Sequence, residues 1–257
     1  MKILAIGDIF GECGVEHVSM VLRSLKIDED IDFCIANGEN TSGTGMTVSD
    51  YDKLYDAGVD AFTMGNHTFG KKDIFKILEN ETNIVRPANF PDGTPGVGSR
   101  VLKCKNKKIG IINIMGRVDI SISLDCPFRT IDREIEKIKP LCDFIVVDFH
   151  AEATSEKKAM MFYLDSRVSV LYGTHTHVQT ADETVTKSGM GYITDLGMTG
   201  AEDSVLGVKK EIILKRFINA LPQKFEYAYS RAVLCGAVFE IDETTHKCVC
   251  VKRICVR

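Results

Sequence analysis

The stretch VSVLYGTHTH, Val168 to His177, starts as an apolar run and ends without transition in two imidazoles spaced by one residue. The same change of character recurs along the chain. Ile3–Ile6 leads to Gly7 and Asp8, and Asp32–Ala36 leads to Asn37, Gly38, Glu39 and Asn40. Ala61–Met64 leads to Gly65, Asn66 and His67, and Ile109–Met115 leads to Gly116 and Arg117. Phe144–Val147 leads to Asp148 and His150, and Tyr192–Thr194 leads to Asp195. Short runs rich in Ile, Val and Phe read as buried strands. Helical spacing predicts helices over Val15–Leu25, Ser49–Ala57 with Ser49 as N-cap, Lys72–Leu78, Arg133–Leu141, and Ser155–Leu164 behind the caps Thr154 and Ser155. Strands alternating with helices define an α/β fold with helices outside the sheet.

In open α/β sheets, sites form beyond the carboxyl ends of the strands, where every one of these polar clusters falls. Segments far apart in sequence therefore meet at one rim. Asp8 reads as a metal ligand or as the cap of the following helix. Glu39, flanked by amides, can bridge two cations and so offset its desolvation cost. Asn40 and Asn66 can each supply a neutral oxygen, and Asn40 is also a natural turn residue. His67 reads as a ligand or a proton donor, and His150 as a ligand or a hydrogen-bonded core histidine. If the last cluster is extended, His175 and His177 share one face; if it turns, they diverge toward two adjacent metals. Imidazole with carboxylate suits iron, manganese or zinc better than magnesium or calcium, and the lack of cysteine here argues against a structural zinc. His17, in a helix, and His246, in a turn, read as packing or surface residues.

The composition is ordinary for a folded protein, with 44% hydrophobic and 26% charged residues. A formal net charge of −4 argues against a broad basic surface for duplex DNA. The nine cysteines are scattered and odd in number, and Cys248-Val-Cys250 lacks zinc or redox spacing, which fits free thiols in a reducing cytoplasm. The N-terminal apolar run is too short for a signal peptide, and no stretch approaches the roughly 18 apolar residues of a membrane span. Residues 1–257 read as one domain. Arg86–Gly96 reads as a turn-rich loop near the site, and Ala232–Val256 as strands about a turn at Asp242–His246, edging a sheet.

The order Asp8, Glu39, Asn66-His67, His150, His175-x-His177 resembles the calcineurin-like metallophosphoesterases. It departs from their usual pattern in three places. Phe10 stands where a histidine is usual, Glu39 replaces an aspartate, and Thr174 separates Gly173 from His175. Those departures resemble the YmdB-like bacterial phosphodiesterases, through GDIFGECG from Gly7, NGENTSGTGM from Asn37, GNHTF from Gly65, RPANFP from Arg86, NIMGRV from Asn113, DFHAEATSEK from Asp148, GTHTHVQTAD from Gly173 and YITDLGMTG from Tyr192. Asp119 stands where an aromatic is expected.

The resemblance implies a four-layer α/β/β/α sandwich and a dinuclear centre of iron or manganese, with zinc as a substitute. It implies Asp8, Glu39, Asn40 and His177 on one metal, and Glu39, Asn66, His150 and His175 on the other. His67 is then catalytic rather than a ligand. With Phe10 in place of an imidazole, the Asp8 metal is expected to be the weaker. The implied activity is hydrolysis of 2′,3′- or 3′,5′-cyclic nucleotides or related phosphodiesters by a hydroxide bridging the metals. The resemblance also leaves room for a homo-oligomer and for a protein partner in RNA processing. Arg117 is a candidate phosphate clamp, and Glu152, Ser155 and Lys157 are candidate supporting groups. Two rivals stand beside this reading: a phosphomonoesterase or nucleotidase on the same scaffold, and a regulatory metal-binding protein.

Overall fold

Each apolar run forms a strand that ends beside or inside its polar cluster, as where Phe144–His150 takes in Asp148 and His150. A computed structural model describes residues 1–257. Its strands are Lys2–Ile6 (β1), Asp8–Ile9 (β2), Phe33–Asn37 (β3), Ala61–Thr63 (β4), Ile84–Val85 (β5), Ser99–Cys104 (β6), Lys107–Met115 (β7), Phe144–His150 (β8), Val170–Thr174 (β9), Thr184–Val185 (β10), Gly191–Ile193 (β11), Met198–Ala201 (β12), Ala232–Ile241 (β13) and Cys248–Val256 (β14). Its helices are Gly11–Asp28 (α1), Val48–Ala57 (α2), Asp73–Asn80 (α3), Pro127–Ile138 (α4), Thr154–Leu164 (α5) and Lys210–Asn219 (α6).

The strands form two sheets. One has the order β2-β12-β13-β1-β3-β4-β5, with β14 added on β13, and the other has the order β10-β11-β9-β8-β7-β6. β1, β3, β4 and β5 run parallel, as do β7, β8, β9 and β11, so each sheet directs several carboxyl ends to one rim. The alternation of side chains sorts the core into three layers. Ile3, Ala5, Ile35 and Phe239 of the first sheet pack against Ile111, Val146, Val170 and Tyr172 of the second. On the outer face of the first sheet, Leu4, Cys34 and Phe62 meet Leu22 of α1, Leu54 of α2 and Ile77 of α3. On the outer face of the second, Ile112, Val147 and Leu171 meet Ile135 of α4 and Met160 of α5. The architecture is the expected α/β/β/α sandwich.

Several helix boundaries differ from expectation, for identifiable reasons. Helix α2 is capped by Thr47, not Ser49, through a reciprocal pair of hydrogen bonds with Asp50. Helix α4 begins at Pro127, six residues before Arg133, because proline is well suited to the first turn. Lys139–Leu141, expected to end that helix, form a separate 3₁₀ turn containing Pro140. The N-cap of α5 is Ala153, so Thr154 and Ser155 lie inside the helix. Helix α6 was not anticipated: of its apolar residues only Ile213 is buried, so it carries no core-facing stripe to read. The hairpin β13–β14 does edge a sheet, and Asp242 holds its turn by accepting from the Thr244 and Thr245 amides. No helix is long and apolar enough to cross a membrane, and all nine cysteines are free.

Asp182, in the loop before β10, joins that loop to α5 and β11. It accepts from Lys158 Nζ at 2.7 Å, Thr180 Oγ1 at 2.8 Å and the Thr194 amide at 3.0 Å. Burial pushes its carboxyl up, but Lys158 and these donors outweigh burial and hold it well below the usual range. A depressed folded-state pKa stabilises the fold above the unfolded value, near 4, and that stability is lost as pH falls further. Asp182→Asn should therefore lower the unfolding midpoint at pH 7, with the gap to wild type closing below about pH 4 in chemical denaturation. A gap independent of pH would contradict this.

Candidate metal centre

The two sheets bring Asp8, Glu39, Asn40, Asn66, His67, His150, His175 and His177 to one rim. Asp8, Glu39 and His150 are completely or almost completely buried. Asp8 does not cap α1, whose N-cap is Phe10 without a side-chain hydrogen bond. Its Oδ2 instead accepts from the His175 amide at 3.0 Å. Its Oδ1 is buried with no hydrogen-bond partner, 3.7 Å from His177 Nε2 and 4.0 Å from His150 Nδ1.

The last cluster turns rather than extends. His175 and His177 have φ of 99° and 64°, left-handed values rare for residues with a Cβ. Such strain persists only where the surroundings enforce it. Here the enforcing pair is Lys157 and Asp195, a buried ion pair at 2.6 Å. Lys157 also donates to the Thr174 carbonyl at 2.9 Å, and Asp195 accepts from the Thr176 amide at 3.1 Å and the Gly197 amide at 2.8 Å. Lys157, weighed as a supporting group, is thus the anchor of the histidine turn. Ser155 is exposed on α5.

Thr174, an apparent interruption of the motif, also has a role. Its hydroxyl accepts from His150 Nδ1 at 2.9 Å and donates to Asp148 Oδ1 at 2.7 Å. His150 Nδ1 therefore carries a hydrogen in either protonation state, and Nε2 is the nitrogen turned to the cluster. That nitrogen faces Asn66 Oδ1 at 2.8 Å, His175 Nδ1 at 3.0 Å and Glu39 Oε1 at 3.1 Å. His177 is oriented the same way, with Nδ1 donating to the Leu206 carbonyl at 3.3 Å and Nε2 turned to Asp8 and Asn40. Metal-ligating histidines are held by such bonds through their other nitrogen.

The electrostatics follow from this crowding. Glu39 is held down at about 2: burial pushes it up, but His150 and the His67 amide, which donates to Oε2 at 2.7 Å, prevail. His150 is pushed up to about 9, the Glu39 carboxylate outweighing burial, while burial and His150 push His175 down to about 3. Burial raises Asp8 against the pull of His177 and His150, and raises Asp148 to about 6.

Imidazole nitrogens and carboxylate oxygens converging on one point, with a buried carboxylate oxygen left unpartnered, are the arrangement a cation resolves. Glu39, His150 and His175 present ligand atoms all within 4.8 Å of one another. Gly65 leaves the room required, since a Cβ there would fall inside contact distance of His150 Nε2 and Glu39 Oε2. The residues therefore fit a metal ion. Asn40, expected as an oxygen donor, points its amide nitrogen at Glu39 Oε1 and His177 Nε2, both at 3.3 Å. Turning that amide over presents the oxygen instead.

Beside this cluster lies a cavity of about 590 Å³. Glu39, Asn40, His67, Glu152, His175 and His177 line one side, and Glu152 Oε2 is 3.1 Å from His175 Nε2. The other side is apolar, formed by Phe10 and the segment from Val205 to Tyr227. Phe10, standing where an imidazole is usual, packs edge-on against His177 and Tyr227. Arg117 and the Arg86–Gly96 loop do not line the cavity. The Arg117 amide is instead held by Glu156, and its side chain is exposed. His17 is buried, with Nε2 at 3.2 Å from the Val256 carbonyl, and His246 sits in the hairpin turn. The sequence places Asp148 and Asp195 in the strand-end clusters without assigning them a role, and it does not reveal the apolar wall. An aspartate two residues before His150, inside an otherwise apolar strand, was the available signal.

This fold with this donor set defines a protein of the metallophosphoesterase class. The chain belongs to the YmdB-like protein family, whose model matches residues 4–254. It is 46% identical over 257 residues to the 2′,3′-cyclic-nucleotide 2′-phosphodiesterase of Bacillus subtilis (strain 168), covering 100% of this chain and 97% of the relative. A solved structure of a hypothetical protein from Thermus thermophilus superposes with a TM-score of 0.93 at 39% identity, covering 99% of this chain and 98% of that one. A Mycoplasma pneumoniae structure described as a novel phosphatase gives 0.93 at 36% identity, over 100% and 93% of the two chains.

Two substitutions separate geometry from folding. Gly65→Ala should reduce metal bound per chain, measured by elemental analysis, while circular dichroism stays native. Thr174→Val should weaken metal affinity by roughly 10–100-fold in chelator competition, because His150 loses its orienting bond. Full metal content and affinity in both variants would contradict this reading of the site.

Proposed function

We propose that this protein is a dinuclear metal-dependent phosphodiesterase acting on cyclic nucleotides, with 2′,3′-cyclic substrates first and 3′,5′-cyclic ones as a second group. The observation that carries it is the position of Glu39. Its Oε1 is 3.1 Å from His150 Nε2 and 3.3 Å from the Asn40 amide nitrogen, which faces His177 Nε2, and this supports a reading in which it bridges two half-sites, Asp8, Asn40 and His177 on one hand and Asn66, His150 and His175 on the other. Those residues would hold two ions, for which the mixed imidazole and carboxylate donors favour iron or manganese, with zinc as a substitute. Bound there, the ions would supply Lewis acidity at phosphorus and a nucleophile at neutral pH.

The chain's own residues do the rest. His67 lines the cavity beside the cluster while its amide is tied to Glu39. Its side chain is therefore free to give a proton to the leaving alkoxide. Glu39, fixed by that amide, holds its orientation between the half-sites. No Lys or Arg lines the cavity, which favours the single charge of a diester over the dianion of a monoester. The name of the Bacillus relative supports the same preference. The free cysteines fit a reducing cytoplasm, and we take residues 1–257 as one catalytic unit.

The test is a substrate panel with manganese- or iron-loaded protein. Bis(p-nitrophenyl) phosphate and 2′,3′-cyclic nucleotides should be cleaved faster than p-nitrophenyl phosphate. Faster monoester cleavage would make the protein a phosphomonoesterase, and metal binding without turnover would make it a binding protein. His67→Ala should retain its metals and lose about 10²–10⁴-fold in kcat. Unchanged turnover would remove His67 from the chemistry.

A further inference from the structure

Apart from the Leu206 carbonyl that orients His177, the segment from Val205 to Tyr227 has no part in the proposed metal chemistry, yet it builds half of the cavity. Ile213 and Phe217 are four residues apart on α6 and so share one face of that helix. Both line the cavity, with Phe225 and Tyr227 beside them. Tyr227 is fixed: it packs edge-on against Phe10 at 5.3 Å, and its ring covers Gly43 so closely that a Cβ there would collide with it. Phe217 has no aromatic neighbour and is 77% exposed. An exposed phenylalanine facing a metal cluster across a cavity lacks the partner that aromatic surface ordinarily finds.

Its chemistry specifies that partner. The wall from Val205 to Phe225 consists of Val205, Leu206, Val208, Ile213, Phe217 and Phe225, with no amide, carboxylate or hydroxyl side chain among them. It offers π-faces and aliphatic surface; the polar side chains beside it, the Tyr227 hydroxyl and the Arg216 guanidinium at 5.1 Å from the Phe225 ring centroid, belong to exposed residues. Across the cavity are Glu39, His67, His175 and His177, where the phosphate would be processed. A molecule spanning both walls needs a phosphate at one end and a flat apolar ring at the other.

We propose that the wall is a nucleobase platform, with Phe217 and Phe225 as the stacking residues, and that it makes the enzyme select nucleotides over other diesters without selecting among bases. This rests on the phosphodiesterase reading and sharpens its substrate. Base–aromatic stacking tolerates any base because every base has a π-face. Strong discrimination among ligands instead requires buried hydrogen-bonding groups, which this wall lacks.

The experiment compares 2′,3′-cyclic AMP, GMP, CMP and UMP with glycerol 1,2-cyclic phosphate, a base-free cyclic diester, on metal-loaded wild type, Phe217→Ala and Phe225→Ala. Calorimetry with 3′-AMP supplies a readout independent of turnover. In wild type, kcat/KM should agree within about tenfold across the four nucleotides and exceed that for the base-free diester. Phe217→Ala should raise nucleotide KM and the 3′-AMP Kd about tenfold, leave kcat unchanged, and leave the base-free diester unaffected. Phe225→Ala should act in the same direction. Preference for one base by more than about a hundredfold would overturn the platform. So would Phe217→Ala and Phe225→Ala variants whose nucleotide KM and Kd match wild type. Equal kcat/KM for nucleotides and the base-free diester would overturn the platform alone, whereas failure of wild type to cleave any of the five diesters would overturn the phosphodiesterase reading, and the platform with it.

Discussion

Three carboxylates, Asp8, Glu39 and Asp148, lie fully or almost fully buried at the junction of the two sheets. Concentrated negative charge at such depth is the constraint on which the rest of the structure depends. An isolated buried carboxylate carries a desolvation penalty of several kcal/mol, and these three repel one another as well. The one buried lysine nearby, Lys157, is already paired with a fourth carboxylate, Asp195. Imidazole nitrogens therefore face the remaining oxygens, and these carboxylates push His150 up to about 9, a sign of how strongly the cluster draws positive charge. Cations satisfy carboxylate and imidazole together, which is why this donor set belongs to a metal centre rather than to a salt-bridged core.

The same constraint explains the layer beneath the centre. Asp148 accepts from Thr63 and Thr174, and Thr174 in turn orients His150. Thr63 belongs to the first sheet, and Thr174 and Asp148 to the second, so one carboxylate ties the sheets together directly under the site. Lys157 and Asp195 hold the left-handed histidines in place from the other side. The strained turn is thus supported by a helix, α5, that never reaches the cavity. Gly65 completes the design by subtraction, leaving the volume in which ligand atoms converge.

Much of this was legible in sequence because the chemistry sits in short, local clusters at strand ends. Gly173-Thr-His-Thr-His and Asn37-Gly-Glu-Asn each bring several donor residues within a few positions, and the strand-end rule then brings the clusters together. The supporting layer was harder to read. Thr174 and Asp148 are 26 positions apart, and only the pairing of β8 with β9 makes them neighbours. Lys157 read equally as a supporting group or as a lysine in the first turn of a helix, and nothing local named Asp195 as its partner. The apolar wall was hidden for a different reason. Its residues face a cavity rather than the core, so α6 shows no buried stripe, and Phe217 reads as an ordinary surface residue. Helix α4 was misplaced because Pro127 starts it without the polar cap that usually marks a first turn.

The central claim is that Glu39 lies between two cations. It is tested most directly by anomalous diffraction from crystals of the manganese-loaded protein. Two anomalous peaks should flank the Glu39 carboxylate, one contacted by Asp8 and His177 and the other by Asn66, His150 and His175. A single peak at full loading, or peaks that leave Glu39 without a metal contact, would contradict it.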